Sequence, residues 1–174
     1  MNTIRDLLFW QYARIVSISA GEGKTNYGLI SNIFKRFYSR EVRWSSSIGD
    51  FVKKHEKRNA CVYCASSRNL TVEHILPRIR GGPDIPENTA SVCDDCNSRK
   101  GSKRFYEWYG LENTSELPRT AEAKYLKLLY SLHEARGTLD ATPADLCSAC
   151  DLGAKCLAKG ELSVYCLEGQ FKKP

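Results

Sequence analysis

Eight cysteines fall into two tight groups, and this grouping constrains the chain more than any other feature of its sequence. Cys61, Cys64, Cys93 and Cys96 form two C-x2-C pairs with 28 residues between them, and Cys147, Cys150, Cys156 and Cys166 follow as C-x2-C-x5-C-x9-C. No run of about 18 apolar residues is present, so no membrane-spanning helix is expected. The apolar stretch Leu7–Trp10 is interrupted by Gln11 and Arg14 and leads to no small-residue cleavage site, so no secretory leader is expected either. The chain is therefore read as cytoplasmic. Thiols stay reduced in the cytosol, and clustered pairs there point to metal rather than to disulfides.

The two groups differ in what their spacing implies. Paired C-x2-C knuckles give a tetrahedral thiolate site, closed to substrate, that ties loop ends together around structural zinc. The second group can supply four thiolates to zinc or to a [4Fe–4S] cluster, and its uneven gaps fit neither motif closely. Zinc is the expectation there, because the first site is of zinc type and no redox role is apparent.

The metal reading changes the charge. The formal net charge is +6; four thiolates on a divalent ion contribute −2, so two such sites lower it to +2. Residues 1–110 hold 18 basic and 11 acidic groups, whereas residues 111–174 hold 8 and 9. The basic bias of the first two thirds is compatible with a phosphate-binding face.

Periodicity fills in the flanks. Ile4, Leu7, Leu8, Tyr12, Ile15 and Val16 lie on one helical face, with Thr3 as N-cap and Gly21 as stop. A second helix is expected over 26–38 and a third over 47–58, which places His55 on a solvated face. After Pro118, Thr120 is expected to cap an amphipathic helix carrying Tyr125, Leu128, Leu129 and Leu132, with His133 off that stripe at the surface. Thr142-Pro-Ala-Asp145 reads as the start of a short helix. At 174 residues, the chain divides into an N-terminal helical region (1–58), a central unit (59–110) and a C-terminal helix with its cysteine segment (111–174).

The central unit runs in the order knuckle, strand (70–75), loop, strand (88–92), knuckle and one helix from Asn97 to Gly110. Pro77 and Gly81-Gly82-Pro83 force the loop. Glu73 and His74 are adjacent on a strand, so their side chains point to opposite sides. Phosphodiester hydrolysis needs a base for water and a hard cation for the phosphate charge. Carboxylate and amide oxygens suit Mg²⁺ or Mn²⁺, and a neutral imidazole suits the base. Arg78, Arg80, Arg99, Lys100, Lys103 and Arg104 crowd around these residues as candidate phosphate contacts. Tyr106 and Trp108 are expected in the core.

The segment resembles the HNH nuclease family through Cys61-x2-Cys64, Leu70-Thr-Val-Glu73-His74-Ile-Leu-Pro77-Arg78, Gly81-Gly82, Asn88, Cys93-x2-Cys96-Asn97 and Lys100-Gly101. The resemblance covers about fifty residues and implies an α+β fold: a small ββα-metal core stapled by a four-cysteine zinc site, flanked by the helices and the second cysteine cluster. It further implies a metal-dependent endonuclease acting on DNA, with RNA not excluded. His74 would be the general base, Glu73 and Asn97 the ligands of a catalytic Mg²⁺ or Mn²⁺, and Asn88 a brace for the loop that orients His74. The family more often has aspartate before the histidine and histidine at the last position, where Glu73 and Asn97 stand here. The competing reading is a non-catalytic zinc-stabilised module that binds nucleic acid or protein. One active centre cuts one strand at a time, so the chain is expected to act as a monomer or, for double-strand cleavage, as a homodimer. No membrane partner is expected.

Overall fold

The computed structural model describes residues 1–110, 116–152, 156 and 160–171. Three helices open the chain: α1 (Ile4–Ser19), α2 (Tyr27–Tyr38) and α3 (Trp44–His55). Thr3 and Asp6 cap α1 reciprocally, each side chain accepting from the other's backbone N–H. The inward face of α1 follows the sequence pattern, with Ile4, Leu7, Leu8, Tyr12 and Ile15 buried. Helix α3 starts at Trp44, ahead of the expected Ser47, because Trp44 is itself buried and stacks on Tyr130 with ring centroids 4.7 Å apart. Packing of that ring decides the start where local propensity does not. His55 is exposed, as expected.

A mixed helix and two-strand arrangement follows. Strands β1 (Leu70–His74) and β2 (Thr89–Cys93) pair antiparallel, with Leu70 opposite Cys93 and His74 opposite Thr89. The loop between them contains 3-10 turns at Arg78–Arg80 and Pro86–Asn88. Helix α4 (Asp94–Lys100) packs on both strands, and α5 (Phe105–Tyr109) follows after a break. Helix α6 (Arg119–Ala135) packs against α1 and α3 and so joins the C-terminal third to the opening helices. It begins at Arg119 with Pro118 as N-cap, two residues before the expected cap at Thr120. The short α7 (Pro143–Leu146) carries a Thr142–Asp145 capping box, and a 3-10 turn at Val164–Leu167 packs on α1. Among the described residues, no helix is long and apolar enough to cross a membrane.

Two expectations need correction. The single helix expected over 97–110 is split into α4 and α5, with Gly101 between them at φ +52°. Buried polar groups explain the split. Arg104 turns its guanidinium inward to Asp151 and to the Phe171 carbonyl, 2.8 Å away. The restarted helix then presents the Tyr106 and Glu107 N–H groups to the buried Glu168 carboxylate at 3.0 and 2.8 Å. Tyr125 donates its hydroxyl hydrogen to the same carboxylate at 2.9 Å. A continuous helix would turn the Tyr106 and Glu107 N–H groups to carbonyls four residues back and leave the buried Glu168 carboxylate without these two donors.

The second correction concerns His133, which is fully buried rather than at the surface. Segment 164–171 covers that end of α6: Nε2 lies 3.0 Å from the Leu167 carbonyl, and Nδ1 lies 2.8 Å from the Thr138 hydroxyl. A carbonyl can only accept, so Nε2 carries the hydrogen and Nδ1 accepts. Periodicity sees only one face of α6; the chain segment that covers the other is distant in sequence. Burial pulls the His133 imidazole down to about 4 from 6.5, against the raising effect of the Leu167 carbonyl. The folded state thus resists the proton that the unfolded chain takes up. This stabilisation is present above pH 6.5, is lost as pH falls toward 4, and amounts to about 3 kcal/mol in full. Melting temperatures of wild type and His133→Gln should therefore converge as pH falls from 7 to 4, with the wild type losing more. Parallel melting curves across that range would contradict the buried, neutral ring.

Candidate active site in the knuckle and hairpin unit

The first cysteine group converges. The Cys61, Cys64, Cys93 and Cys96 sulfurs lie within 4.8 Å of one another, with three of the four residues buried. Local geometry explains how each knuckle turns. Ala65 N–H donates to the Cys61 carbonyl at 2.8 Å and Cys61 N–H to the Ser66 carbonyl at 2.7 Å, with Ala65 at φ +61°. Val62 N–H donates to the Ser91 carbonyl at 2.9 Å, which ties the first knuckle to β2. Burial opposes ionisation of Cys61, but the backbone amides of Cys93, Cys64 and Tyr63 outweigh it and bring the thiol down to about 7. Burial pushes Cys96 up to about 12, even with Arg99 Nη2 3.5 Å from its sulfur. Four converged sulfurs on two turns can hold a metal such as zinc, with no room for a substrate between them.

Asn88 closes the loop between the strands. Fully buried, it donates from Nδ2 to the carbonyls of Leu76 and Pro83 at 2.9 and 2.8 Å and accepts from Leu76 N–H at 2.9 Å. Gly82 passes so close that an added Cβ would lie 1.9 Å from the Leu76 carbonyl oxygen. The Gly81-Gly82 pair is thus required at Gly82 by close backbone approach, and one amide side chain supplies the bonds a turn would otherwise lack.

That closure brings Asp84 to His74, with Nε2 2.9 Å from Oδ1. His74 lies on the same face of β1 as Val72, which is 69% exposed, whereas Glu73 faces inward at 7%. The strand's two-residue period thus separates the pair. His74 and the Arg78 guanidinium, 3.3 Å from Oδ2, hold the Asp84 carboxyl below its usual range. An ionised carboxylate only accepts, so Nε2 carries a hydrogen, and in the neutral ring the lone pair then lies on Nδ1.

Glu73 Oε1 accepts from the Tyr63 hydroxyl and lies 3.4 Å from Lys100 Nζ. Burial raises the Glu73 carboxyl and lowers the Lys100 ammonium, and their mutual attraction opposes both shifts. Lys100 Nζ also lies 3.4 Å from the His74 carbonyl. Asn97 sits part-exposed on the first turns of α4, and its side chain bonds to no other described residue.

The basic residues divide. Arg78, Arg99 and Lys103 are exposed, and Arg80 is part-exposed between the Ser102 carbonyl, Glu107 and Asp151. Lys100 and Arg104 are each 1% exposed. The reading of Lys100 as a nucleic-acid contact is corrected here: its ammonium is committed to Glu73 beneath the hairpin, and Arg104 is likewise spent on Asp151.

Residues 61–104 match the HNH endonuclease family. Comparison with curated proteins and with solved structures finds no match. The HNH segment thus runs from the first cysteine to Arg104, where the buried guanidinium meets the C-terminal segment. Sequence reasoning missed Asp84, Tyr63 and the inward role of Lys100. Asp84 is ten residues from His74 across a loop, and only the Asn88 closure joins them; Tyr63 sits in the knuckle, where its neighbours mark it as a turn residue rather than a partner for Glu73.

The thiolate group should act as a single unit. Cys93→Ser removes one sulfur of the four and leaves the ends of the hairpin untied, and binding energy at such a site is folding energy. The variant should lose about one metal equivalent per chain and melt well below wild type. Unchanged metal content and melting temperature, measured by elemental analysis and calorimetry, would contradict the four-thiolate site.

Proposed function

We propose that this protein is a metal-dependent endonuclease that hydrolyses phosphodiester bonds in DNA, with His74 as the general base. The observation that carries this reading is the 2.9 Å contact of His74 Nε2 with Asp84 on the open face of an HNH hairpin. Asp84 fixes the tautomer, so the unprotonated Nδ1 can take a proton from the attacking water. The imidazolium that forms then has a carboxylate beside it, as in other histidine bases oriented by an acid. Asn88 acts at one remove: by holding Leu76 and Pro83, it keeps Asp84 where His74 can reach it.

Asn97 and Glu73 are the residues proposed to hold a catalytic Mg²⁺ or Mn²⁺. An amide and a carboxylate oxygen suit either ion. The cation would neutralise charge on the scissile phosphate. The two proposed ligands differ in readiness: the Asn97 side chain has no competing bond among the described residues, whereas Glu73 must be shared with Lys100 and Tyr63. Exposed Arg78, Arg99 and Lys103, with Arg80 beside them, are the proposed backbone-phosphate contacts, which position DNA without reading its sequence. The substrate class rests on the family match; RNA cleavage and homodimerisation for double-strand cuts remain within this reading.

Plasmid cleavage in Mg²⁺ or Mn²⁺, with a chelator as control, tests the proposal. His74→Ala should lose on the order of 10²–10⁴ in rate with DNA affinity almost unchanged. Asn97→Ala should instead raise the metal concentration needed for half-maximal rate, with partial rescue by excess Mn²⁺. Glu73→Gln should do the same if its carboxylate is a ligand, and should only lower the melting temperature if it serves Lys100 and Tyr63 alone. A folded His74→Ala protein that cuts at the wild-type rate would sink the assignment. DNA binding without cleavage in either metal would favour the non-catalytic module.

A further inference from the structure

The second cysteine group is assembled from separate stretches of chain. Cys147 caps the C-terminal end of α7, Cys150 follows three residues on, Cys166 lies in the Val164–Leu167 turn, and Cys156 lies between them in sequence. All four line one small cavity of about 50 Å³, and Cys166 interacts electrostatically with both Cys147 and Cys156. As in the first group, one cysteine is exposed and the others are at least partly buried. Leu146, Leu152 and Tyr165 form a mainly apolar wall, and the Gln170 side chain donates to the Leu146 carbonyl at 2.8 Å. Among the described residues, no carboxylate or imidazole lines the cavity. The side-chain donors it offers are soft sulfurs, which suit zinc and not the hard Mg²⁺ or Mn²⁺. So small a cavity has room for one ion and none for a cluster of four irons and four sulfides.

The segment that carries these cysteines supplies buried partners to the rest of the core. Asp151 and the Phe171 carbonyl meet Arg104, the Glu168 carboxylate meets α5 and Tyr125, and the Leu167 carbonyl meets His133. Between α7 and Phe171, the only regular element among the described residues is the four-residue 3-10 turn. Helix and sheet ladders therefore do little to hold the segment, and ordering such a chain costs conformational entropy at every residue. Its two ends meet beside the cavity: Asp151 N–H donates to the Gly169 carbonyl at 3.2 Å, and an added Cβ on Gly169 would lie 2.5 Å from the Cys150 sulfur. Thiolates on one zinc ion sit about 3.8 Å apart, because tetrahedral bonds of about 2.3 Å require it. One ion in the cavity would draw the cysteines together and fasten those ends.

We infer that Cys147, Cys150, Cys156 and Cys166 hold one structural zinc ion, and that this ion clamps the C-terminal segment over the buried Arg104 and His133. The binding energy of such an ion is folding energy, and it offsets the entropy of a stretch with little regular structure. Neither the ion nor its test depends on nuclease activity.

The test uses the full chain purified under reducing conditions. Elemental analysis should find about two zinc per chain, one from each cysteine group. The double variant Cys147→Ser/Cys150→Ser should keep about one, which shows that the first site still folds. With Co²⁺ in place of zinc, the difference spectrum between wild type and the double variant should show the charge-transfer and ligand-field bands of a tetrahedral four-thiolate site. Limited proteolysis should cut the double variant within residues 147–166 several-fold faster than wild type. If the double variant fails to fold, the zinc content of the wild-type chain decides alone. One zinc per chain in the wild type, two zinc kept by the double variant, or iron and sulfide in place of the second zinc would overturn the inference.

Discussion

The convergence of Cys61, Cys64, Cys93 and Cys96 is the constraint on which the hairpin unit depends. A two-stranded hairpin is marginal in water by itself, and β1 and β2 form a sheet of only two strands. Tying both ends of the pair to one thiolate group replaces the missing strands. It holds Leu70 opposite Cys93, so register is set at the knuckles and carried to Glu73 and His74 without slip. A one-residue shift would exchange the two faces, turning His74 inward and Glu73 to solvent.

Buried polar contacts do the remaining positioning. Lys100 and Glu73 form a pair beneath the hairpin, with Tyr63 closing it from the first knuckle. Such a pair contributes little net stability, because desolvation offsets attraction, but it penalises any arrangement that separates the two charges. It therefore specifies how α4 sits on β1, and with it where Asn97 lies. Glu168 and Arg104 have the same effect at the other end. Glu168 joins the start of α5 to Tyr125 of α6, and Arg104 joins the HNH segment to Asp151 and Phe171. Segments far apart in sequence thus share one core, in which Tyr106, Tyr125, Leu129 and Leu167 are all buried.

The open face of the hairpin is organised differently. His74 keeps a quarter of its side-chain surface in solvent, and its acid partner Asp84 keeps 65%. Solvent weakens that contact as a source of stability. Its value is orientation: a carboxylate on Nε2 leaves Nδ1 free and fixes the ring plane. The loop that carries Asp84 is rigid for a separate reason, the Asn88 amide and the bare Gly82 backbone, so the site does not depend on the exposed ion pair to stay in place.

The sequence by itself determined the elements whose cause is local. Thr3 and Asp6 cap α1, C-x2-C turns fold within their own residues, Thr142 and Asp145 start α7, and the order of knuckle, strand, loop, strand and knuckle follows from short-range patterning. The first four-cysteine group could be found because its residue types are tied to that order, and the candidates His74, Asn88 and Asn97 are read from the same order. Only the tertiary structure decided what depends on distant partners. The break between α4 and α5 is set by Glu168 and Asp151, dozens of residues away; His133 is buried by a turn beyond residue 160; Lys100 becomes an internal cation because Glu73 lies opposite; and Asp84 reaches His74 only across a closed loop. A periodicity reports which face of an element is apolar, whereas which chain covers that face, and which buried charge finds a partner there, is fixed only when the whole core assembles.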